Sequence, residues 1–258
     1  MIRFGPAGLG GAKEAIKNLE SFHQQGITAC ELAFTYGVYL KEPEAKVIGK
    51  AASDLGIRLS IHAPYWVNLN AQGKKLEMTK QRILNSCKIG DALGAATVVF
   101  HPGYYGKESK EETYRHVKEA ITDMLETREN EGWFPELAAE TMGKINVFGD
   151  LNEILNLVKD TGCGFCIDYA HLLARSGGKM PYSAMVEAVS EFKTLHCHFS
   201  GIAYGDKGEK HHIPTPPEEL KKLLRALPRN KEITVISESP QPVEDSLLAI
   251  DIWKSLQK

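Results

Sequence analysis

The sequence predicts an α/β protein folded as a single (β/α)8 barrel spanning residues 1–258, and three observations predict it. Short β-branched or apolar runs alternate eight times with segments of helical apolar spacing. No repeat of fixed period and no Pro/Ser-rich linker interrupts the chain, whose length suits one barrel. Six successive runs end in an ionisable residue, at the strand ends where this fold gathers its active sites. A doubly wound open sheet is the competing arrangement, which a count of elements does not exclude.

The strand-like runs cover residues 2–5, 28–34, 57–63, 96–101, 136–141, 164–168, 194–199 and 233–238. Helical spacing follows each in turn, over 12–24, 42–55, 75–93, 110–127, 150–159, 182–192, 217–226 and 243–256. Residues two apart on a strand share a face. Leu59 and Ile61 therefore point away from Ser60 and His62, Ile167 away from Asp168, and Leu195 and Cys197 away from His198. One face is apolar enough to meet a layer of helices. The other carries His62, His101, Glu140, Asp168, His198 and Glu238 to one mouth, with Glu31 as a candidate seventh.

The chain is 43% hydrophobic and 25% charged, so it can bury a full core. It has no run of about 18 apolar residues and no apolar signal region at its start, and it reads as an intracellular, cytoplasmic protein away from membranes. Five scattered cysteines argue against a disulfide framework. A net charge of −2 does not advertise a nucleic-acid partner.

Imidazoles and carboxylates together make the mixed donor set of zinc and similar ions. Two clusters join the strand ends: Asp168-Tyr169-Ala170-His171, and Glu209-Lys210-His211-His212 in the loop after His198. His62, His101, Glu140, Asp168, His171, His198, Glu209, His211 and Glu238 are then nine candidate ligands, too many for one tetrahedral ion and enough for three.

Other features have plainer readings. His196 lies one layer below His198 and reads as a hydrogen-bonded core residue; His212 is expected to point outward, and His23 to sit on a solvated helix face. Cys163 and Cys166 have CxxC spacing, but on a strand they face opposite sides, so packing is expected. The glycine-rich loop Gly5-Pro6-Ala7-Gly8-Leu9-Gly10-Gly11 departs from GxGxxG and reads as a turn, not a dinucleotide cradle.

These residues together resemble the endonuclease IV family of apurinic/apyrimidinic-site nucleases, within the xylose isomerase-like TIM barrels. The motifs that carry the resemblance are Ser60-Ile61-His62-Ala63-Pro64-Tyr65-Trp66-Val67-Asn68-Leu69, Phe100-His101-Pro102-Gly103, Glu140-Thr141, Ile167-Asp168-Tyr169-Ala170-His171, His198, Glu209-Lys210-His211-His212 and Ser237-Glu238-Ser239-Pro240. The resemblance implies three zinc ions, with manganese or another divalent ion as substitutes. His62, His101 and Glu140 would hold the first ion; Glu140, Asp168, His198 and Glu238 the second; His171, Glu209 and His211 the third. It implies hydrolysis of the phosphodiester 5′ to abasic sites in double-stranded DNA, with Glu140 orienting the nucleophile and a monomer needing no protein partner.

Three divalent ions against Glu140, Asp168, Glu209 and Glu238 leave the site about +2, which would attract phosphate despite the acidic chain. Tyr65 and Trp66 match the family's recognition loop; Lys107, Lys110, Lys144, Arg175, Lys179, Lys207 and Lys210 lie after strands, where they could meet the DNA backbone. The chain departs from the family at three places. Glu209 replaces an aspartate, Phe199-Ser200-Gly201 follows His198, and Thr35-Tyr36-Gly37-Val38-Tyr39 lacks a basic DNA-contacting residue.

The alternative is a sugar isomerase or epimerase of the same barrels, using Glu140, Asp168, His198 and Glu238 around one divalent ion. It leaves His62, His101, His171, Glu209 and His211 without a task. A non-catalytic metal or nucleic-acid scaffold is the third reading.

Overall fold

The computed structural model describes residues 1–257. Eight parallel strands form the sheet: β1 (Ile2–Pro6), β2 (Ala29–Ala33), β3 (Arg58–His62), β4 (Thr97–Phe100), β5 (Glu136–Glu140), β6 (Gly164–Asp168), β7 (Thr194–Phe199) and β8 (Glu232–Ser237). They pair in the order β2-β3-β4-β5-β6-β7-β8-β1. Sparse bonds draw the ends of this ribbon together: Thr28 N–H donates to Phe4 O at 3.1 Å and Gly8 N–H to Glu31 O at 2.7 Å. Gly5 permits this approach, because a Cβ there would sit 1.7 Å from the Ala29 carbonyl oxygen. The nearly closed barrel thus depends on a residue with no side chain.

The outer layer is α1 (Ala15–Gln24), α2 (Glu42–Asp54), α3 (Lys74–Leu93), α4 (Lys110–Asn130), α5 (Leu151–Thr161), α6 (Tyr169–Arg175), α7 (Tyr182–Glu187), α8 (Pro217–Ala226) and α9 (Pro242–Ser255). Local chemistry starts several of them. Ser109 Oγ accepts the Glu112 N–H while Glu112 accepts the Ser109 N–H, and Asp150 and Glu153 exchange the same pair. Leu19, Ile48, Ile83, Ile121, Ile154 and Leu223 face the sheet fully or almost fully buried. Each such burial stabilises the fold by about 1.5–3 kcal/mol.

Eight of these helices match expected ones to within a few residues at most ends. The expected helix over 182–192 stops at Glu187 because the chain continues in three-residue turns, with Ser190 N–H bonded to Glu187 O and Phe192 N–H to Val189 O. Helix α6 and the antiparallel ribbon Gly201–Gly205 with Gly208–Ile213 lie where loops were expected. Among the described residues no helix is long and apolar enough to cross a membrane.

Candidate metal centre

At the carboxyl ends of the strands, three groups of donors come close enough to share an ion: His62, His101 and Glu140; Glu140, Asp168, His198 and Glu238; and Asp168, His171 and His212. Glu140 belongs to the first two groups and Asp168 to the last two. Glu140 is fully buried among imidazoles. Its Oε2 lies 3.0 Å from His101 Nε2 and 3.2 Å from His62 Nε2; its Oε1 lies 3.2 Å from His198 Nδ1 and 3.4 Å from His171 Nδ1.

Burial pushes the Glu140 carboxyl up, but the His101 charge and hydrogen bond, with those of His171 and His198, hold it well below the usual carboxylate range. Glu238 behaves alike: His198 outweighs burial and brings it to about 2. Asp168 goes the other way, raised by burial, which His171 only partly offsets, and raised further by Glu140 and Glu238. Burial lowers His62, yet its bond to Glu140 wins and lifts it to about 9. Burial opposes charge on His171 and His198 as well, yet the acidic groups around them raise both, while burial lowers His101; in the metal-free protein protons on His62, His171 and His198 therefore balance the carboxylates.

The donor set fits divalent ions on the geometry of the imidazoles. His62 Nδ1–H donates to Ala63 O at 2.8 Å, His171 Nδ1–H to Thr141 O at 2.9 Å, and His212 Nδ1–H to Glu238 O at 3.0 Å. Carbonyls only accept, so each ring has its proton committed to Nδ1, and in the neutral form its Nε2 lone pair faces the site. The Nε2 atoms of His171 and His212 then face each other at 3.3 Å, a repulsive pairing that a shared cation or proton resolves. Asp168 Oδ2 is buried without a hydrogen-bond partner and belongs to the same group. These groups can hold metal ions.

Local sequence sets several of these positions. Asp168 Oδ1 accepts the His171 N–H at 2.7 Å, so Asp168 caps α6 and places His171 in its first turn. Gly143 leaves room beside them: a Cβ there would lie 2.7 Å from Glu209 Cβ and 3.0 Å from His171 Cδ2.

The third group differs from the expected one. His211 and His212 are neighbours on one strand of the ribbon, opposite Ala203 and Ile202, so they project to opposite sides. His212 turns into the mouth, while His211 is exposed and reaches only the rim of the cleft. Glu209 Oε2 is 3.6 Å from His171 Nε2, beside the third group but outside it.

Above the groups a cleft of about 440 Å³ is bordered by Tyr65, Lys144, Glu209 and Lys210. Tyr65 packs edge-on against His101 with centroids 4.7 Å apart, and Trp66 stands beside it, 68% exposed. Lys144, Lys207 and Lys210 line an adjoining hollow, while Lys107 is exposed in the loop before α4 and does not border the cleft. Arg175 is not a free cation at the surface. Its Nη1 donates to the carbonyls of Met142, Lys144 and Val147 at 3.3, 2.6 and 2.9 Å, tying down the loop after β5.

Glu31, left aside in the nine-donor set, is fully buried beneath the site. Its Oε2 accepts from Ser60 Oγ at 2.8 Å and lies 2.9 Å from His196 Nε2; its Oε1 lies 2.9 Å from His198 Nε2. Burial raises the Glu31 carboxyl, but His198 and His196 pull it well below its ordinary value. The sequence signal for it was its parity on β2, which matches that of the other inward strand-end residues. His196 is buried and hydrogen-bonded.

Fold and donor groups define an α/β barrel with clusters able to hold metal ions at the carboxyl ends of its strands. The chain belongs to the xylose isomerase-like TIM barrel family, whose model matches residues 19–254. An uncharacterized protein of Methanocaldococcus jannaschii is 35% identical over 99% of this chain and 98% of its own length. A probable endonuclease 4 of Mycobacterium marinum is 24% identical over 78% of this chain and 80% of its own. Among solved structures, SacUVDE superposes with a TM-score of 0.74 at 16% identity, covering 96% of this chain and 88% of that one. Endonuclease IV from Thermus thermophilus gives 0.69 at 21%, covering 99% and 98%; a D-tagatose 3-epimerase-like protein gives 0.70 at 20%, covering 99% and 97%. At such identities the structural likeness shows the fold alone.

Proposed function

We propose that this protein is a metal-dependent endonuclease that hydrolyses the phosphodiester 5′ to abasic sites in double-stranded DNA, with up to three divalent ions, zinc foremost, as cofactors. The observation that carries the reading is the set of three abutting donor groups joined by Glu140 and Asp168. Divalent ions held there would supply a nucleophile from water near neutral pH and stabilise charge on the phosphate and leaving oxygen. Glu140, shared between the first two groups, would orient the attacking water. Tyr65 and Trp66 would fill the gap left by the missing base, and Lys144, Lys207 and Lys210 would meet backbone phosphates. The relatives named endonuclease 4 support this choice of substrate. The reading further includes a monomer acting in the cytoplasm.

One observation favours a second reading: Glu140, Asp168, His198 and Glu238 by themselves form a four-donor group. A sugar epimerase or isomerase would need only that group and one ion, and epimerases are among the structural neighbours. It gives no task to His62, His101, His171 and His212, which the nuclease reading uses. The deciding experiment offers metal-loaded protein a duplex carrying one tetrahydrofuran abasic analogue and, separately, a panel of ketoses. A metal-dependent nick on the 5′ side of the analogue is expected; ketose turnover without nicking would put the epimerase in its place.

A further inference from the structure

The carboxylate of Glu31 belongs to none of the three donor groups, yet it is fully buried directly below them. Its position follows from barrel closure. β2 sits at the seam with β1, where the Glu31 carbonyl accepts the Gly8 N–H and Ala7 bridges to Glu31. Its side chain crosses the barrel interior to reach β7 opposite, where it meets His196 and His198 together. Ser60 Oγ on β3 fixes the orientation of the carboxylate from the near side.

His198 differs from the other imidazoles of the mouth. His62, His171 and His212 each give their Nδ1 proton to a backbone carbonyl and turn Nε2 to the site. His198 is reversed: Nδ1 faces Glu140 Oε1 at 3.2 Å and Glu238 Oε1 at 3.5 Å, and Nε2 points down to Glu31. Without an ion, Nδ1 is hydrogen-bonded to Glu140 Oε1, a carboxylate oxygen that only accepts, so Nδ1 carries a proton; to ligate, His198 must give up that proton and keep one on Nε2. Glu31 Oε1 is 2.9 Å from Nε2 but well off the N–H direction, so neither atom is hydrogen-bonded as it stands, and the ring or the carboxylate must turn for the bond to form.

We propose that Glu31 is a positioning residue that selects the Nε2–H tautomer of His198 and so makes Nδ1 the ligand of the second donor group. Ser60 and His196 hold the Glu31 carboxylate in place for that task. The proposal rests on the metal-centre reading of the mouth and is independent of the substrate. Glutamine at position 31 keeps the shape but replaces one acceptor by an amide donor. Glutamine offers His198 either its NH2, which favours a lone pair on Nε2 and a proton on Nδ1, the form that cannot ligate, or a neutral oxygen, a weaker acceptor than the carboxylate.

The test loads wild-type and Glu31→Gln protein with zinc, measures the chelator concentration that removes each ion, and records the histidine 15N–1H spectrum of the loaded protein. In the wild type, His198, assigned by His198→Gln, is expected to show an Nε2–H signal shifted downfield by a carboxylate and slow to exchange. In Glu31→Gln that signal should move upfield and exchange faster. One ion should be lost at ~10–100-fold weaker chelation while the others keep their parental midpoints, as for outer partners of other metal-bound histidines. If Glu31→Gln folds poorly, Ser60→Ala frees the carboxylate to rotate and should move both readouts in the same direction by less. A lower melting temperature with unchanged metal affinity and an unchanged His198 signal makes Glu31 a structural residue only and overturns the proposal. A wild-type protein that retains no zinc takes down the metal-centre reading and this inference together, whereas loaded protein that fails to cut DNA overturns the nuclease reading and leaves Glu31 standing on these two measurements.

Discussion

His212→Ala, set against His211→Ala, is the sharpest perturbation of the proposed nuclease site. His212 Nε2 lies 3.3 Å from His171 Nε2, and its ring is held by the Glu238 carbonyl and Ser200. Removing it takes one of three donors from the third group, and a second, Asp168, is already shared with its neighbour. Metal stabilisation of a departing oxygen is worth several kcal/mol, and at 1.36 kcal/mol per decade a loss of about 3 kcal/mol slows cleavage on the order of 10²-fold. His211 projects from the other side of the ribbon, so His211→Ala should keep the parental metal content. Elemental analysis after gel filtration and single-turnover nicking of the abasic duplex read both variants. Loss of an ion from His211→Ala with full occupancy in His212→Ala would refute the assignment of faces. Parental behaviour in both would remove the third group from the metal centre.

Three further outcomes are expected. Glu140→Gln should still bind abasic DNA but cleave on the order of 10³-fold more slowly, in a binding assay paired with single-turnover kinetics; near-normal nicking by folded protein contradicts its role. Arg175→Ala, which leaves the carbonyls of Met142, Lys144 and Val147 without their donor, should cost about 1–3 kcal/mol in denaturant unfolding and leave DNA affinity of the folded protein almost unchanged. Metal-free protein should lose stability as pH rises: His62 is raised to about 9 from an unfolded value near 6.5, so its contribution is complete below about 6.5 and gone above about 9. Its share is on the order of 3 kcal/mol, and unfolding in chelator at pH 6.5, 7.5 and 8.5 that shows flat or rising stability contradicts the proton balance described above.

The barrel was legible because two periodicities switch back and forth eight times, and strand parity alone carried six strand-end groups to one mouth. Parity failed where the strand itself was not recognised. Gly201 to Ile213 is rich in glycine and charge and reads as a loop, yet it forms a ribbon with an irregularity between Ala203 and Tyr204. Only that register tells which of His211 and His212 looks inward. Helix α6 was hidden for a related reason: seven residues show too little period, and its start is signalled by Asp168, which had already been given a metal-binding task. One carboxylate does both, capping with Oδ1 and leaving Oδ2 for the site. Arg175 shows the limit for surface charges, since no spacing rule reveals that a guanidinium is spent on three carbonyls of a distant loop.

The carbonyls that orient the imidazoles belong to the site itself. His171 is held by Thr141 O, next to Glu140, and His212 by Glu238 O, the backbone of a donor residue; His62 uses the carbonyl of its own neighbour, Ala63. The ends of β5 and β8 therefore each present a carboxylate and also aim a histidine carried by a different element. Displacing either strand end moves two donors together, and Glu140 and Asp168 pass the disturbance to the adjoining group. Substitutions here should not add. His212→Ala removes the ring that Glu238 O holds, so its effect on metal affinity should couple with that of Glu238→Gln by about 0.5–3 kcal/mol in a double-mutant cycle, as contacting residues do. His62 draws its orientation from its own strand end, so a His212 and His62 pair should fall closer to additivity. Coupling of equal size in both cycles would mean that electrostatics across the whole mouth, and not shared strand ends, links the donors.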